Sequence, residues 1–322
     1  MPDGLPTPNP TIRDVDGLIA AGLAPEASRA ALAEVAERYA IALPAALRGL
    51  ITAPDDPIGR QFIPDVAELF TAPDEMSDPI GDIALSPVKG VVHRYPDRAL
   101  LKPLLACPVY CRFCFRREQV GPDGGVLTET ELAAAYAYIA ARPGINEVIL
   151  TGGDPLILSP RRLGEILAQL AAIPHVTILR IHTRAPIADP AVVTTALADA
   201  LDIASPLFIV LHANHAREIT PAVVAAMGLL QRRGIPILGQ TVLLAGVNDN
   251  AEALGALFLA MLRARIKPYY LHQLDAAPGT SRFRVPVERG RQIMRDLRGK
   301  ISGTALPTYI HDRPGGLGKL PL

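Results

Sequence analysis

After about residue 91 the chain alternates short apolar runs with helical stretches, and this rhythm constrains the fold more than any other feature. The runs are "ALLKPLLA", "NEVILTGG", "VTILRIHT", "LFIVLHAN", "IPILGQTVLL" and "KPYYLHQLD". Between them lie "TETELAAAYAYIAAR", "SPRRLGEILAQLAAI", "DPAVVTTALADAL", "ITPAVVAAMGLLQRRG" and "DNAEALGALFLAMLRARI". Near-continuous apolar runs suit strands buried on both faces. Six such units in a row imply an α/β protein whose parallel strands are joined by helical crossovers. A barrel, closed or partial, and an open doubly wound sheet both satisfy the pattern. The strand ends favour the barrel. Gly152, Gly153 and Asp154 end one run, and His182, Thr183 and Arg184 the next. His212, Asn214 and His215, then Gln240, then Asp275 end the others. Polar residues at the ends of most strands suit a barrel mouth better than a single crevice.

The first ten residues are Pro-rich and expected to be loose. Residues 12–50 read as short helices, Ala- and Leu-rich and broken by Asp, Ser and Pro. Lys plus Arg equals Asp plus Glu at 32 each, so global charge argues for neither nucleic acid nor membrane as a partner. No basic flank with an apolar run opens the chain, and no apolar run approaches the ~20 residues that span a bilayer. The expected compartment is the cytoplasm.

The chain has three cysteines, all within "LACPVYCRFCFRR": Cys107, Cys111 and Cys114. Three thiols cannot build a disulfide framework. Thiolates this close in sequence converge on one soft metal centre. Zinc would need a fourth ligand, and histidines elsewhere leave that open. A [4Fe–4S] cluster normally takes four cysteines, so three would leave one iron open for a ligand.

The spacing C-x3-C-x2-C after a first barrel strand, with Phe113 in the last gap, resembles the radical S-adenosylmethionine (SAM) superfamily. "TGGDP" at the end of the second run resembles that superfamily's stretch for the amino group of SAM, and so assigns Gly152, Gly153 and Asp154 to cofactor binding. The resemblance implies a partial (β/α)6, TIM-like barrel of the radical SAM type over 91–280. A helical extension (1–90) would precede it, and a short C-terminal segment (281–322) would follow.

The motifs "HRYPDR", "CPVYCRFCFRR", "TGGDP", "HANHAREIT", "GQTVLLAGVND", "KPYYLHQLD" and "GGLGK" occur in the order seen in the lysine 2,3-aminomutase family, which the chain resembles from about Pro79 to Leu322. That resemblance implies a pyridoxal phosphate (PLP) Schiff base on Lys319. It implies phosphate contacts from Tyr95 and Arg98, and Gln240 near the cofactors. Arg116 would hold the substrate carboxylate, with Asp275 and Asp312 on the distal ammonium of L-lysine. The implied reaction moves the α-amino group from C2 to C3, giving β-lysine. An electron donor such as flavodoxin or ferredoxin would serve the cluster. The alternatives are a radical SAM enzyme for another amino acid and a non-catalytic iron–sulfur protein.

The sequence also departs from that family. No cysteine follows Lys319, and Asn250 stands where the family places a zinc cysteine, so zinc is not expected and a homodimer would be held differently or more weakly. Length favours the type that modifies elongation factor P, whereas Asp312 and "GGLGK" favour the free-lysine type. His182, His212, His215 and His272 could each touch a cofactor or be ordinary half-buried histidines, and His93 reads as the latter. The arginine pair of "FRREQ" reads as an anion contact beside the cluster.

Overall fold

The computed structural model describes residues 11–312 and 318–322. The Pro-rich opening and most of "RPGGLGK" lie outside them. Four short helices come first: α1 (Val15–Ala20), α2 (Arg29–Arg38), α3 (Ala45–Arg48) and α4 (Gly59–Phe62). A hairpin follows, β1 (Val91–Tyr95) and β2 (Arg98–Leu104), whose tight turn is Pro96-Asp97 of "HRYPDR". Crossovers then alternate strictly: α5 (Glu129–Ala140), β3 (Glu147–Gly152), α6 (Pro160–Ala171), β4 (Ile178–Thr183). Next come α7 (Ala185–Ala188), α8 (Thr195–Ala200), β5 (Leu207–His212), α9 (Pro221–Gln231) and β6 (Ile237–Val242). The chain closes with α10 (Ala251–Arg263), β7 (Lys267–His272), α11 (Val287–Arg298), β8 (Thr308–Asp312) and β9 (Lys319–Pro321).

The strands form one curled sheet in sequence order, β1 to β9. The six expected crossover strands are β2–β7, all parallel. "PTYIHD" adds a seventh, β8, parallel to β7, so the C-terminal segment continues the sheet. The outer strands β1 and β9 run antiparallel. The result is a half-barrel α/β fold.

Local sequence explains the helices. Thr128 forms a capping box with Glu131 at α5. Ser159-Pro160 and Thr220-Pro221 put a capping hydroxyl before a proline at the first helical position of α6 and α9. Asn250 caps α10 by accepting from Ala253 N. On α6 the buried residues Leu163, Ile166, Leu167 and Leu170 form one stripe. The strands are less uniformly buried than their apolar sequences suggest. β4 alternates buried Leu179, Ile181 and Thr183 with half-buried Arg180 and His182, and β6 alternates likewise with Gln240. One face packs on the helices, and the other faces the hollow of the half-barrel.

The extension is part of the same core. Leu18, Leu43, Leu47, Ile58 and Phe62 pack in one cluster with Leu101, Ile181 and Leu211 of the sheet. Among the described residues no helix is long and apolar enough to cross a membrane.

Candidate active site

The cysteine loop leaves β2 at Leu105 and is fixed at both ends. Cys107 N donates to Gly121 O at 3.0 Å, and Leu105 N to Gly125 O at 2.8 Å. "TGGDP" holds the loop from below: Gly153 N donates to Leu104 O (2.8 Å) and Asp154 N to Ala106 O (2.9 Å). The two glycines are demanded by this contact. Gly152 has φ +101°, and a Cβ on Gly153 would lie 2.1 Å from Ala106 O. The Asp154 carboxylate is fully engaged. It accepts from Leu156 N (3.1 Å), the Thr183 hydroxyl (2.7 Å), Arg184 N (2.6 Å) and Ala185 N (2.7 Å). It ties the ends of β3 and β4 together, so any contact it makes to a cofactor passes through its backbone.

The three thiols are unpaired and half-buried. Burial pushes all of them up, Cys111 to about 11, and the neighbouring thiols add to the effect at Cys107 and Cys111. A cationic centre would remove that penalty. Among the described residues no three His, Cys, Asp or Glu side chains converge as they would on a single metal ion. A cubane spreads its ligands over separate irons, and a donor set of three thiolates on one loop fits a [4Fe–4S] cluster.

Arg112 and Arg117 of the loop are braces. Arg112 is fully buried and donates to both Glu68 oxygens (Nε at 3.0 Å to each) and to Ala40 O at 2.7 Å. Arg117 also pairs closely with Glu68 and donates to Arg112 O (2.9 Å) and Gly279 O (3.0 Å). Burial pushes the Glu68 carboxyl up, but Arg112 and Arg117 outweigh it and hold it below its ordinary value. The anion-contact reading of "FRREQ" is therefore corrected for Arg117, whose partners are internal. Arg116 is buried too, and its Nε and Nη2 each lie 2.7 Å from Asp82 Oδ2. Lys102 Nζ stands 3.9 Å from the same oxygen.

The open edges of the sheet meet at a seam, where the motifs from the two ends of the chain come together. Arg94 of β1 pairs closely with Asp312 of β8, and Lys319 Nζ donates to Asp312 Oδ2 at 2.7 Å. The Tyr95 ring lies so near Gly318 that a Cβ there would sit 2.7 Å from it. Gly318 has φ +126°, a conformation that glycine tolerates. The Arg98 guanidinium lies 3.8 Å from the centre of the Tyr95 ring and also pairs with exposed Asp97 at 2.9 Å. Among the described residues the buried Tyr95 hydroxyl has no partner. A phenol and guanidinium beside a lysine, with the hydroxyl unsatisfied, fit the phosphate and aldehyde ends of PLP.

Asp275, just past β7, experiences Asp312, Lys319, Arg116 and Asp82, and burial first, then Asp312, pushes its carboxyl up to about 7. At Asp312 burial also pushes upward, but Lys319 and Arg94 prevail and keep it below the ordinary value. Gln240 is half-buried on β6 beside His212. The ring nitrogens Nε2 of His182 and His272 are buried without partners among the described residues. Burial, and for both the charge of Lys319, holds these rings below the ordinary histidine value, His272 at about 3, so both are neutral. The other histidines have structural partners. His93 bonds the Tyr138 hydroxyl (2.9 Å), His212 bonds Asn214 (3.1 Å), and His215 caps a turn by accepting from Arg217 N (3.3 Å).

Sequence reasoning missed Asp82 and Arg94, and it noted Arg184 only as a polar residue at a strand end. Arg94 lies inside the quoted "HRYPDR". Asp82 lies in a Pro- and Asp-rich connection with no local signal.

The Radical SAM superfamily model matches residues 101–257, which include the three cysteines and "TGGDP". The fold is similar to the crystal structure of Streptococcus suis SuiB (TM-score 0.50, 10% identical, 69% of this chain and 50% of that one). L-lysine 2,3-aminomutase of Fusobacterium nucleatum is 40% identical over 83% of this chain and 63% of its own length. The chain thus spans less than two thirds of that relative. L-lysine 2,3-aminomutase of Escherichia coli is 40% identical over 84% of this chain and 78% of its own length. With cysteine loop, glycine clamp and lysine seam assembled in one half-barrel, the chain belongs to the L-lysine 2,3-aminomutase family of radical SAM proteins.

Proposed function

We propose that the protein is an isomerase that moves the amino group of L-lysine from C2 to C3, giving β-lysine. Its cofactors are a [4Fe–4S] cluster on Cys107, Cys111 and Cys114, SAM, and PLP on Lys319. Together these supply the hydrogen-atom abstraction and the radical delocalisation that amino migration requires. The chain's own residues bind and orient. Gly152 and Gly153 let backbone approach SAM from the end of β3, and Asp154 holds that turn rigid. Tyr95 and Arg98 hold the PLP phosphate, and Gln240 lies beside the cofactors. Arg116 takes the substrate carboxylate, and Asp275 and Asp312 take the distal ammonium. The half-barrel walls keep water from the reacting carbon.

One observation carries the choice of lysine: Asp312 already holds a lysine ammonium, that of Lys319, at 2.7 Å, and Asp275, whose affinity for protons burial and then Asp312 raise, is the second carboxylate of that environment. Two carboxylates at that end would repel the distal carboxylate of glutamate. A one-electron donor such as flavodoxin or ferredoxin, a cytoplasmic setting and a homodimer complete the proposal.

The test uses protein reconstituted anaerobically with iron, sulfide and PLP. The absorbance of lysine-linked pyridoxal should appear in the parent and vanish in Lys319→Ala. Asp312→Asn should raise KM for lysine by at least tenfold. A parent that binds no PLP would refute the aminomutase reading and leave a radical SAM enzyme of another kind or an electron carrier.

A further inference from the structure

The cluster loop touches a buried guanidinium to which the reading above gives no role. Arg184 follows β4 and is 6% exposed. Its Nη2 donates to Gln61 Oε1 at 2.7 Å and to Glu218 Oε2 at 2.8 Å. Its guanidinium carbon lies 4.8 Å from the centre of the Phe62 ring and 5.2 Å from that of Phe113. Its backbone N is bonded to Asp154. So held, Nη1 points at Cys111 and lies 3.5 Å from Sγ. The holders are themselves held. Glu218 accepts from Asn214 N (3.1 Å), His215 N (2.9 Å) and Gln61 Nε2 (3.0 Å). Gln61 comes from α4, outside the residues the superfamily model matches, and its carbonyl accepts from Arg112 N inside the cysteine loop at 2.8 Å.

Burying the Arg184–Glu218 ion pair is costly, and apolar side chains in place of both would fill the same space without that cost. A guanidinium fixed by two acceptors, with a remaining donor on one cluster ligand, needs a chemical reason. Hydrogen bonds to ligand sulfurs are among the determinants of iron–sulfur potentials. On reduction the cluster takes one electron from an external one-electron donor, its core charge falls from 2+ to 1+, and its ligand sulfurs become more negative. An N–H donor carrying positive charge stabilises that product more than the oxidised form.

We propose that Arg184 is a positioning residue for the electron-transfer step: its N–H···S bond to Cys111, aimed by Gln61 and Glu218, makes the cluster easier to reduce. The proposal rests on the cluster reading of the three cysteines and is independent of PLP and lysine. Its failure would therefore leave the aminomutase reading untouched.

The test is the midpoint potential of the reconstituted cluster, followed by electron paramagnetic resonance in a dithionite titration, with iron and sulfide content measured in parallel. Arg184→Met should shift the one-electron equilibrium at least tenfold towards the oxidised form, a midpoint lower by about 59 mV. Arg184→Lys keeps the charge but loses the planar fork, and should shift the same way by less. If the Met variant holds no cluster, the Lys variant decides alone. Unshifted or raised midpoints in the loaded protein would overturn the proposal. So would loss of the cluster in both variants, which would make Arg184 an assembly brace.

Discussion

Asp275 holds its proton up to about pH 7 because burial, and then the Asp312 carboxylate, disfavour its charge. In the unfolded chain the same group deprotonates near its ordinary value of about 4. Between these limits the folded state binds more protons than the unfolded one, so stability falls as pH rises through that window. Asp275→Asn removes this dependence. Its melting temperature should drop less than the parent's between about pH 5 and about pH 8, as thermal denaturation at both would show. An ammonium ligand favours the charged carboxylate, so KM for lysine should fall over the same interval in the parent and stay flat in the variant. Steric demands act at single residues too. Gly153→Ala would press a methyl group into the Ala106 carbonyl, a backbone contact that cannot simply rotate away. A cost of about 1–3 kcal/mol is expected, with loss of iron uptake, checked by chemical denaturation and iron content.

At the scale of elements, the cysteine loop is rigid because the helical extension supplies its counter-charges. Glu68, fully buried, holds Arg112 and Arg117 together, and Arg282 joins them at 3.3 Å. Glu68→Gln leaves two buried guanidinium groups without a full counter-charge. Urea unfolding should show a loss of about 3–5 kcal/mol, the usual cost of breaking a buried pair. The helices were legible from sequence because their signals are local: Thr128 with Glu131, Ser159 with Pro160, and Thr220 with Pro221 each act within one turn. The cysteine spacing was legible for the same reason. The roles of Arg112 and Arg117 were not, since an arginine bound to an internal carboxylate reads the same as one awaiting a ligand. Glu68, their partner, lies 44 residues before Arg112 in the chain.

At the scale of the whole molecule, the site exists because the first and last strands of the sheet meet. Among the described residues β1 and β9 end the strand order, yet Arg94 and Tyr95 reach Asp312 and Gly318 across the gap. No local pattern announces a contact between residues more than 200 apart, and only the motif order hinted at it. "PTYIHD" lies in the segment expected to follow the barrel, and its place as a seventh parallel strand depends on pairing with β7, which no local pattern announces. Extension and barrel share one core, so calorimetry should show a single unfolding transition, whereas two separated transitions would contradict that continuity. The most direct test of the whole account is product analysis. Reduced, reconstituted enzyme is incubated with SAM and either L-lysine or L-glutamate, and the amino acids are separated and identified by mass spectrometry. β-Lysine should form from L-lysine, with no β-isomer from L-glutamate, whereas turnover of glutamate but not lysine would contradict the roles given to Asp275 and Asp312.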